Sequence, residues 1–311
     1  MAKGKFKGYL LGAVAAATYG MNPLFALPLY GGGMDAVSVL FFRYLLAVPI
    51  IGIMIKWRGR DFGVSLKSGV LLAGMGLLMA LSSLWLFLSY NYMDAGIASS
   101  LLFVYPIMVA VLMGCVFHEK TGWVTVASIV MALAGIAMLY QGDGGATLSV
   151  AGTVMVFASA LSYAVYLVFV SRSALNGMPT VKVTFYVLLF GWMLFAVYAP
   201  FNGGLNLPDS GWLWINLVAL AVFPTAVSLL CTTRAIQYIG STPTAILGAL
   251  EPVTAVFFGV TVFGEPFTPR IFSGLLLIIV AVIMVIASST VEKQLLRLRR
   301  MWPRRKRNQH I

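Results

Sequence analysis

The stretch LGALEPVTAVFFGVTVFGE, residues 247–265, places an acid and a helix-breaking proline inside a run that is otherwise almost entirely apolar or small. If this run crosses a membrane, Glu251 lies well inside the bilayer. A charge at the centre of a span costs about 2.5–3.5 kcal/mol on insertion scales, so such residues face the interior of a helix bundle or water. The stretch therefore raises the question of what an acid-bearing, interrupted span is for.

The composition of the whole chain indicates a membrane protein. Hydrophobic residues make up 60% of the 311 residues and charged residues only 10%, whereas soluble domains carry about 25% charged residues. No cleavable signal peptide is predicted, because the first apolar run begins after Lys7 and is longer than a signal h-region. The formal net charge of +12 does not predict a nucleic-acid partner, because the positive charges flank apolar runs and fill the C-terminal tail.

Ten apolar runs have about the length of 20 residues that a spanning helix needs. Gly, Pro, Asn and charged residues separate them, and no gap is long enough for a soluble domain. The sequence therefore predicts an all-α integral membrane protein with ten transmembrane helices, at roughly 8–29, 35–55, 66–90, 95–117, 122–140, 149–171, 180–200, 212–235, 242–263 and 270–289.

The distribution of Lys and Arg predicts that both termini are cytoplasmic. With the N-terminus inside, Arg270 is the only basic residue in a predicted outer loop, and Asp35, Asp94, Asp143 and Asp209 also fall outside. Apart from Arg43 within the second span, the other basic residues flank the inner ends of the spans or lie in the tail. They include Lys3, Lys5, Lys7, Lys56, Arg58, Arg60, Lys67, Lys120, Arg172, Lys182 and Arg234.

An internal repeat relates the two halves of the chain. Each half holds five predicted spans, and because five is odd the second half enters the membrane from the opposite side. The sequence therefore predicts two inverted five-helix repeats (5+5), an arrangement common in secondary transporters. Shifts of 144 and 146 residues superimpose Tyr19 on Tyr163, Ser82 on Ser228, Tyr105 on Glu251, Pro106 on Pro252 and Glu119 on Glu265.

Two charged residues are predicted to lie deep in the bilayer. From the helical rise, Glu251 is roughly 14 Å from the inner start of its span, in a hydrocarbon core about 30 Å thick. Arg43 is roughly 12 Å from the outer side. Glu251 is predicted to face a central cavity, where it binds a cationic group of a substrate or carries a coupling proton. The alternative is that Glu251 and Arg43 form a buried pair or bond to neighbouring backbone, and for Arg43 this positioning role is favoured.

Prolines at equivalent positions of the two halves predict interrupted helices. Pro252 frees the carbonyl of Gly248 one turn earlier, and Pro106 does the same to Leu102. Membrane helices tolerate such groups where neighbours or cavity water satisfy them. Two broken helices flanking one site are typical of transporters, although a pair of mild kinks is the simpler explanation.

Polar and aromatic residues in the first, fourth and sixth predicted spans complete a candidate substrate-binding pocket. Tyr side chains also serve in helix packing and at membrane interfaces, which is the competing explanation. The candidates beside Glu251 and Arg43 are Tyr19, Asn22, Tyr105, Tyr163 and Tyr166.

Catalytic and metal-binding patterns are scarce. The segment HEKTG, residues 118–122, lacks the second histidine of a zincin helix, and no G-x-S-x-G elbow or phosphate-binding loop occurs. No Cys/His cluster with metal-ligand spacing is found, so neither a metal nor a cofactor is predicted. Cys115 and Cys231 both fall in apolar runs and are interpreted as packing residues rather than a disulfide.

Three segments resemble the ten-helix EamA-type members of the drug/metabolite transporter superfamily: FFRYLLA (41–47), FVYPIMVAVLMGCVFHE (103–119) and LEPVTAVFFGVTVFGE (250–265). The resemblance implies a first repeat over 1–141, a second over 149–290 and a basic cytoplasmic tail over 291–311. It also implies a basket-like bundle with a central cavity and secondary transport of small metabolites. Within the family pattern, the matching residues are Arg43, Glu251, Pro252 and Glu265.

The leading functional hypothesis is a transporter in the bacterial inner membrane that moves small metabolites by alternating access. The resemblance implies amino acids or related compounds, with export favoured. Alternatives are an exporter of drugs or lipophilic cations, a membrane-embedded enzyme acting on lipid or peptide, and a channel or receptor. Membrane lipids are expected as partners, and the sequence allows either a monomer or a homodimer.

Overall fold

The computed structural model describes residues 2–89, 92, 98, 101–118, 122–139, 149–172, 178–263 and 267–284. All regular secondary structure within these ranges is helical. Several residues that carried predictions lie outside the described residues, namely Glu119, Glu265, Asp94, Asp143 and the tail 291–311.

The first half of the chain is built from helices, with a turn at 103–104 in the fourth predicted span and a further interruption in the first. The turn Gly20–Met21 divides that span into two pieces, and Gly20 N–H still donates to the Ala16 carbonyl at 2.8 Å. The helices are α1 (Ala2–Tyr19), α2 (Asn22–Gly31), α3 (Ala36–Trp57), α4 (Leu66–Ser89), α5 (Tyr105–Cys115) and α6 (Trp123–Leu139).

The second half is interrupted twice. A π-helical segment, Ala221–Val227, joins the two pieces of the eighth predicted span, and a turn at Gly248–Ala249 divides the ninth. The helices are α7 (Val150–Arg172), α8 (Thr180–Tyr198), α9 (Gly211–Leu220), α10 (Ser228–Ile239), α11 (Ser241–Leu247), α12 (Leu250–Phe263) and α13 (Pro269–Met284).

Seven helical segments among the described residues are long and apolar enough to cross a membrane. Three shorter apolar helices, α5, α6 and α13, lie where the fourth, fifth and tenth spans are predicted. The protein is therefore a helical membrane protein with several passes. The seven long segments are Gly4–Gly31, Ala36–Trp57, Leu66–Ser89, Val150–Arg172, Thr180–Phe201, Gly211–Ile239 and Ser241–Val262.

Helix starts recur along the chain with an almost constant displacement. The first residues of α3 and α8 lie 144 residues apart, and those of α4 and α9 lie 145 apart. The displacement is 145 for α5 and α12 and 146 for α6 and α13. These values agree with the shifts of 144 and 146 residues that superimpose the two halves of the sequence.

Contacts between the halves also occur in equivalent pairs. Helix α4 packs on α7, and α1 packs on α10, while α3 lies against α8. The Ser159 hydroxyl donates to the Ser82 carbonyl at 2.7 Å, and the Ser228 hydroxyl donates to the Ala15 carbonyl at 3.0 Å. Ser82 and Ser228 are 146 residues apart, and Ala15 and Ser159 are 144 apart. Equivalent pairs of residues are therefore in contact at both places, and in each pair a hydroxyl of the second half donates to a carbonyl of the first half.

Small residues allow α4 and α8 to approach closely. A Cβ added at Gly76 would lie 2.8 Å from the Val187 carbonyl oxygen and 3.1 Å from the Gly191 nitrogen. On the other side of the contact, a Cβ at Gly191 would meet the Tyr44 ring at 2.7 Å. Such close approach by small residues is the usual means of packing helices in a bilayer, where no hydrophobic driving force acts between them.

The two cysteines are free. This agrees with the interpretation that they form no disulfide. Cys115 is exposed on the helix surface rather than packed, and Cys231 is partly buried. The packing role predicted for Cys115 is therefore wrong, because its side chain is exposed on α5.

Substitution of Gly76 by Ala is expected to lower the melting temperature of the detergent-purified protein. The added methyl group meets backbone atoms of α8, and overpacking of this kind costs about 1–3 kcal/mol. Gly74→Ala, on the same helix, is the matched control because a Cβ there has nothing within 4 Å. Equal melting temperatures for the two variants would contradict the close packing of α4 on α8.

Candidate functional site

The interruption of the first span packs against the interruption of the ninth. A Cβ added at Gly20 would lie 2.4 Å from the Glu251 carbonyl oxygen and 2.8 Å from the Thr254 Cβ atom. Only glycine allows the turn between α1 and α2 to approach the first turn of α12 this closely. The turn therefore helps to fix the backbone position of Glu251.

Tyr105, at the start of α5, fills the space beside the turn that separates α11 from α12. Its side chain is 2% exposed, and its hydroxyl donates to the Ala245 carbonyl at 3.1 Å. A Cβ at Gly248 would overlap this hydroxyl, at 1.7 Å. The glycine at the turn and the tyrosine of the fourth span are therefore fitted to each other.

Glu251 lies in the first turn of α12 and is followed by Pro252. The Gly248 carbonyl, which Pro252 cannot serve, accepts a hydrogen bond from the Glu251 N–H at 2.8 Å. The backbone of the turn is thus satisfied locally. The side chain of Glu251 is partly buried and forms no hydrogen bond or ion pair with any described residue. Its carboxyl group is therefore available to a ligand.

Two small cavities lie next to each other in the bundle, and we call them the arginine cavity and the glutamate cavity. In each cavity the volume that the centre of a water molecule can reach is about 10 Å³, so each cavity has room for about one water molecule. The arginine cavity is lined by Tyr19, Arg43, Tyr44, Met79, Tyr163, Leu188, Pro224, Thr225, Ser228, Leu229 and Thr232. The glutamate cavity is lined by Gly12, Ala15, Ala16, Tyr105, Tyr163, Leu167, Thr232, Thr244, Ala245, Gly248 and Glu251.

Tyr163 and Thr232 line both cavities and so form the partition between them. The Tyr163 ring meets the Tyr105 ring edge-on, with centroids 4.9 Å apart, and stacks on Tyr166 at 6.1 Å. Tyr166 is fully buried and lies behind Tyr163, outside both sets of lining residues. The structure thus brings Tyr105, Tyr163 and Glu251 together around one cavity.

Arg43 has a different role from Glu251, because its hydrogen bonds go to the broken eighth span. Its Nη2 donates to the Pro224 carbonyl at 3.3 Å, and its Nε donates to the Thr225 hydroxyl at 2.5 Å. That hydroxyl in turn donates to the Leu220 carbonyl at 2.8 Å. Leu220 lies four residues before Pro224, so its carbonyl lacks the amide donor that a regular helix would supply. Arg43 and Thr225 together satisfy the π-helical segment.

The hypothesis of a buried Arg43–Glu251 pair is wrong. Arg43 bonds to Thr225 and Pro224, and it lies over the Tyr19 ring at 5.8 Å from the centroid. The alternative in which Arg43 holds neighbouring backbone agrees with the structure. Tyr19 and Arg43 therefore belong to the arginine cavity, separate from Glu251.

The remaining sequence candidates lie at the edges of this arrangement. Asn22, the first residue of α2, lines neither cavity, and its Oδ1 atom is buried without a hydrogen-bond partner among the described residues. Pro106 lies in the first turn of α5, directly after a turn at 103–104, as Pro252 follows the turn at 248–249. The two interruptions are thus close to equivalent positions of the repeat.

Sequence reasoning missed the hydroxyl groups of the eighth span. Thr225, Ser228 and Thr232 all line the arginine cavity, and Thr232 also lines the glutamate cavity. Their spacing of three and four residues places them on one face of a helix. Together with Pro224, this hydroxyl stripe in an apolar run was the signal that could have identified the interruption of the eighth span. Among the described residues, no group of three or more His, Cys, Asp or Glu side chains could hold a metal.

A bundle of apolar helices, interrupted where it encloses polar cavities, is the architecture of a membrane transporter. Comparison with protein families agrees with this class. The EamA-like transporter family model matches the chain twice, over residues 6–141 and 150–287. The chain belongs to the EamA-like transporter family.

Individual relatives carry the same description. A Synechocystis protein named as an uncharacterized transporter is 32% identical over 197 residues, which cover 61% of this chain and 58% of that protein. An uncharacterized transporter of Archaeoglobus fulgidus is 27% identical over 76% of this chain and 81% of its own length. A solved crystal structure of a protein 18% identical in sequence matches with a TM-score of 0.77 over 93% of this chain and 98% of that one, which supports the fold.

Substitution of Thr225 by Val is expected to lower the melting temperature of the purified protein. The change removes the hydroxyl bond to the Leu220 carbonyl and the acceptor for Arg43 Nε, and leaving the buried Nε–H group unsatisfied costs about 1–3 kcal/mol. Thr261→Val is the matched control, since the Thr261 hydroxyl is exposed and bonds only to the Phe257 carbonyl of its own helix. If Thr225→Val melts no earlier than the control, Arg43 does not support the π-helical segment in this way.

Proposed function

We propose that this protein is a secondary transporter that moves small metabolites, amino acids or related compounds, by alternating access, with export as the favoured direction. Membership of the EamA-like family supports the transport function. The choice of amino acids rests on the resemblance to EamA-type transporters together with the chemistry of the cavities. The relatives named as uncharacterized transporters do not specify a substrate.

The observation that carries the proposal is the carboxyl group of Glu251. It lies in the glutamate cavity, and no described residue binds it. A group of this kind is expensive to keep within a membrane and is expected to have a ligand. The ammonium group of an amino acid is a suitable ligand, with Tyr105 and Tyr163 beside it.

The small size of the cavities supports alternating access rather than a permanently open pathway. About 10 Å³ cannot hold an amino acid, so the cavities must widen before a substrate enters. Displacement of Tyr163 and Thr232 would join the two cavities into one site. This site would present the Glu251 carboxyl group at one end and the hydroxyls near Arg43 at the other.

The proposal includes ten spans arranged as two inverted repeats of five. The recurring helix starts and the paired Ser82 and Ser228 contacts support this arrangement. The basic residues at the predicted inner ends support cytoplasmic termini. We place the protein in the bacterial inner membrane, in contact with lipid, and a homodimer is compatible with the proposal.

A second candidate function is the export of drugs or lipophilic cations. The observation that favours it is the pair of tyrosine rings of Tyr105 and Tyr163, 4.9 Å apart, which line the cavity of an acid that no described residue binds. Aromatic faces attract cations once these are removed from water. A third reading, a membrane-embedded enzyme, would be favoured by turnover of a lipid or peptide by the purified protein.

Reconstitution into liposomes tests the proposal. Uptake of a labelled amino-acid panel, with tetraphenylphosphonium as a lipophilic cation, should be followed with and without an imposed pH gradient. Saturable uptake of a few amino acids is the expected result. Uptake of the cation alone would favour the second candidate, and absence of amino-acid uptake would contradict the proposed substrate class.

Replacement of Glu251 by Gln is expected to slow uptake by roughly tenfold, because a hydrogen bond to a charged group contributes about 1.5–3 kcal/mol. The variant is also expected to lose any dependence of uptake on the pH gradient, because the Gln side chain has no carboxyl group that binds and releases a proton. Asp209→Asn, the same loss of charge at an exposed residue, is the control and should keep both properties. Unchanged gradient dependence in Glu251→Gln would exclude Glu251 as the coupling group.

A further inference from the structure

The loop between α3 and α4, residues 58–65, is held against the start of α8. Lys182 is buried, and its Nζ donates to Asp61 Oδ1 at 3.1 Å and to the Gly63 carbonyl at 2.7 Å. The hydrogen bond with Lys182 keeps the pKa of the Asp61 carboxyl below its usual range, so this carboxyl group stays charged at neutral pH. The loop belongs to the first half of the chain and α8 to the second.

Two further contacts fix the same loop to α8. The Tyr186 hydroxyl donates to the Phe62 carbonyl, and the Phe62 ring meets the Phe185 ring edge-on with centroids 5.2 Å apart. We call the contacts of loop 58–65 with α8 the inner latch, because the loop is predicted to be cytoplasmic.

A related contact lies at the other end of α3 and α8. The loop before α9, residues 203–210, comes from the second half, and its Asn206 N–H donates to the Ser38 hydroxyl oxygen at 2.8 Å. Ser38 lies in the first turn of α3 and also donates to Asp35, the N-cap of that helix. We call the contact of loop 203–210 with α3 the outer latch.

The two latches are equivalent under the internal repeat. Ser38 and Lys182 lie 144 residues apart, and Asp61 and Asn206 lie 145 apart. Both values fall within the displacement of the helix starts. In each latch, a loop of one half is bound by a polar side chain in the first turn of the long helix of the other half, and the two latches lie at opposite ends of the α3–α8 pair.

The latches join helices that line the arginine cavity. Tyr44 of α3, Met79 of α4 and Leu188 of α8 all line it. Separation of α3 and α4 from α8 at one end would widen this cavity towards that end. With both latches formed, the cavity has room for about one water molecule.

We propose that Lys182 and Ser38 are positioning residues of the transport cycle. Each binds a loop of the opposite half and so closes the path from the arginine cavity to one face of the membrane. This inference rests on the inverted arrangement in the proposed function. The inner latch is the stronger, because an ammonium group forms its hydrogen bonds and a neutral hydroxyl forms that of the outer latch. The resting protein therefore opens more readily to the outside.

Accessibility of a single cysteine from each face tests the inference. Ser228, buried at the arginine cavity, is replaced by Cys in a protein whose Cys115 and Cys231 are changed to Ala. A membrane-impermeant maleimide is applied to right-side-out and to inside-out vesicles. Lys182→Met should raise the labelling rate from the cytoplasmic face by roughly tenfold, and Ser38→Ala should raise it from the outer face by roughly fivefold.

Three variants give the test its specificity. Lys67→Met removes the same charge at an exposed residue of neighbouring α4 and should change nothing. Lys182→Arg keeps a cationic donor and should restore slow labelling. Asp61→Ala should have a smaller effect than Lys182→Met, because the Asp61 side chain is 80% exposed and the Gly63 carbonyl still binds Lys182.

Faster labelling from only one face distinguishes the loss of a latch from a general loss of packing, which would expose the cysteine to both faces. Faster labelling from both faces in Lys182→Met, or no change from either face, would overturn the inference. The labelling measurement needs no substrate. An absence of amino-acid uptake would therefore contradict the proposed substrate class, and the labelling rates would still show whether the latches exist. Conversely, transport with unchanged labelling would leave the proposed function standing without the latches.

Discussion

The structure depends on the requirement that every backbone polar group inside a bilayer has a partner. Interrupted helices violate the regular hydrogen-bond pattern, and in this protein the missing partners are supplied from nearby residues. The Thr225 hydroxyl and Arg43 serve the carbonyls of Leu220 and Pro224, and the Glu251 N–H serves Gly248. Because such repairs need close neighbours, the interruptions lie where the two halves of the chain meet.

This requirement gives the two charged residues within the spans, Arg43 and Glu251, different roles. The hydrogen bonds of Arg43 go to a broken helix of the other half, so its charge stabilises the architecture. Glu251 contributes its backbone to a turn, but its carboxyl group has no partner among the described residues. The protein thus combines one charge used in folding with one available to a ligand, and Tyr163 and Thr232 separate their cavities.

Much of this arrangement could be predicted from the sequence, because composition, span length and the repeat are local or periodic signals. The proximity of Tyr163 to Tyr105, and of both to the cavity of Glu251, was also within reach, since these residues are polar groups in apolar spans. The partners of Arg43 were not, because the contact with Thr225 joins residues 182 positions apart and depends on the path of a π-helical segment. Asn22 was placed with the site on chemistry alone, and its position at the start of α2 keeps it out of both cavities.

The central claim is that a substrate occupies the space now filled by the partition between the cavities. The most direct test is the maleimide labelling rate of a single cysteine replacing Thr232, in a protein without other cysteines, measured with each amino acid of a panel at millimolar concentration. The account predicts that the amino acids taken up by proteoliposomes, and only those, slow the labelling. Labelling that is unchanged by a compound which the same vesicles transport would contradict it.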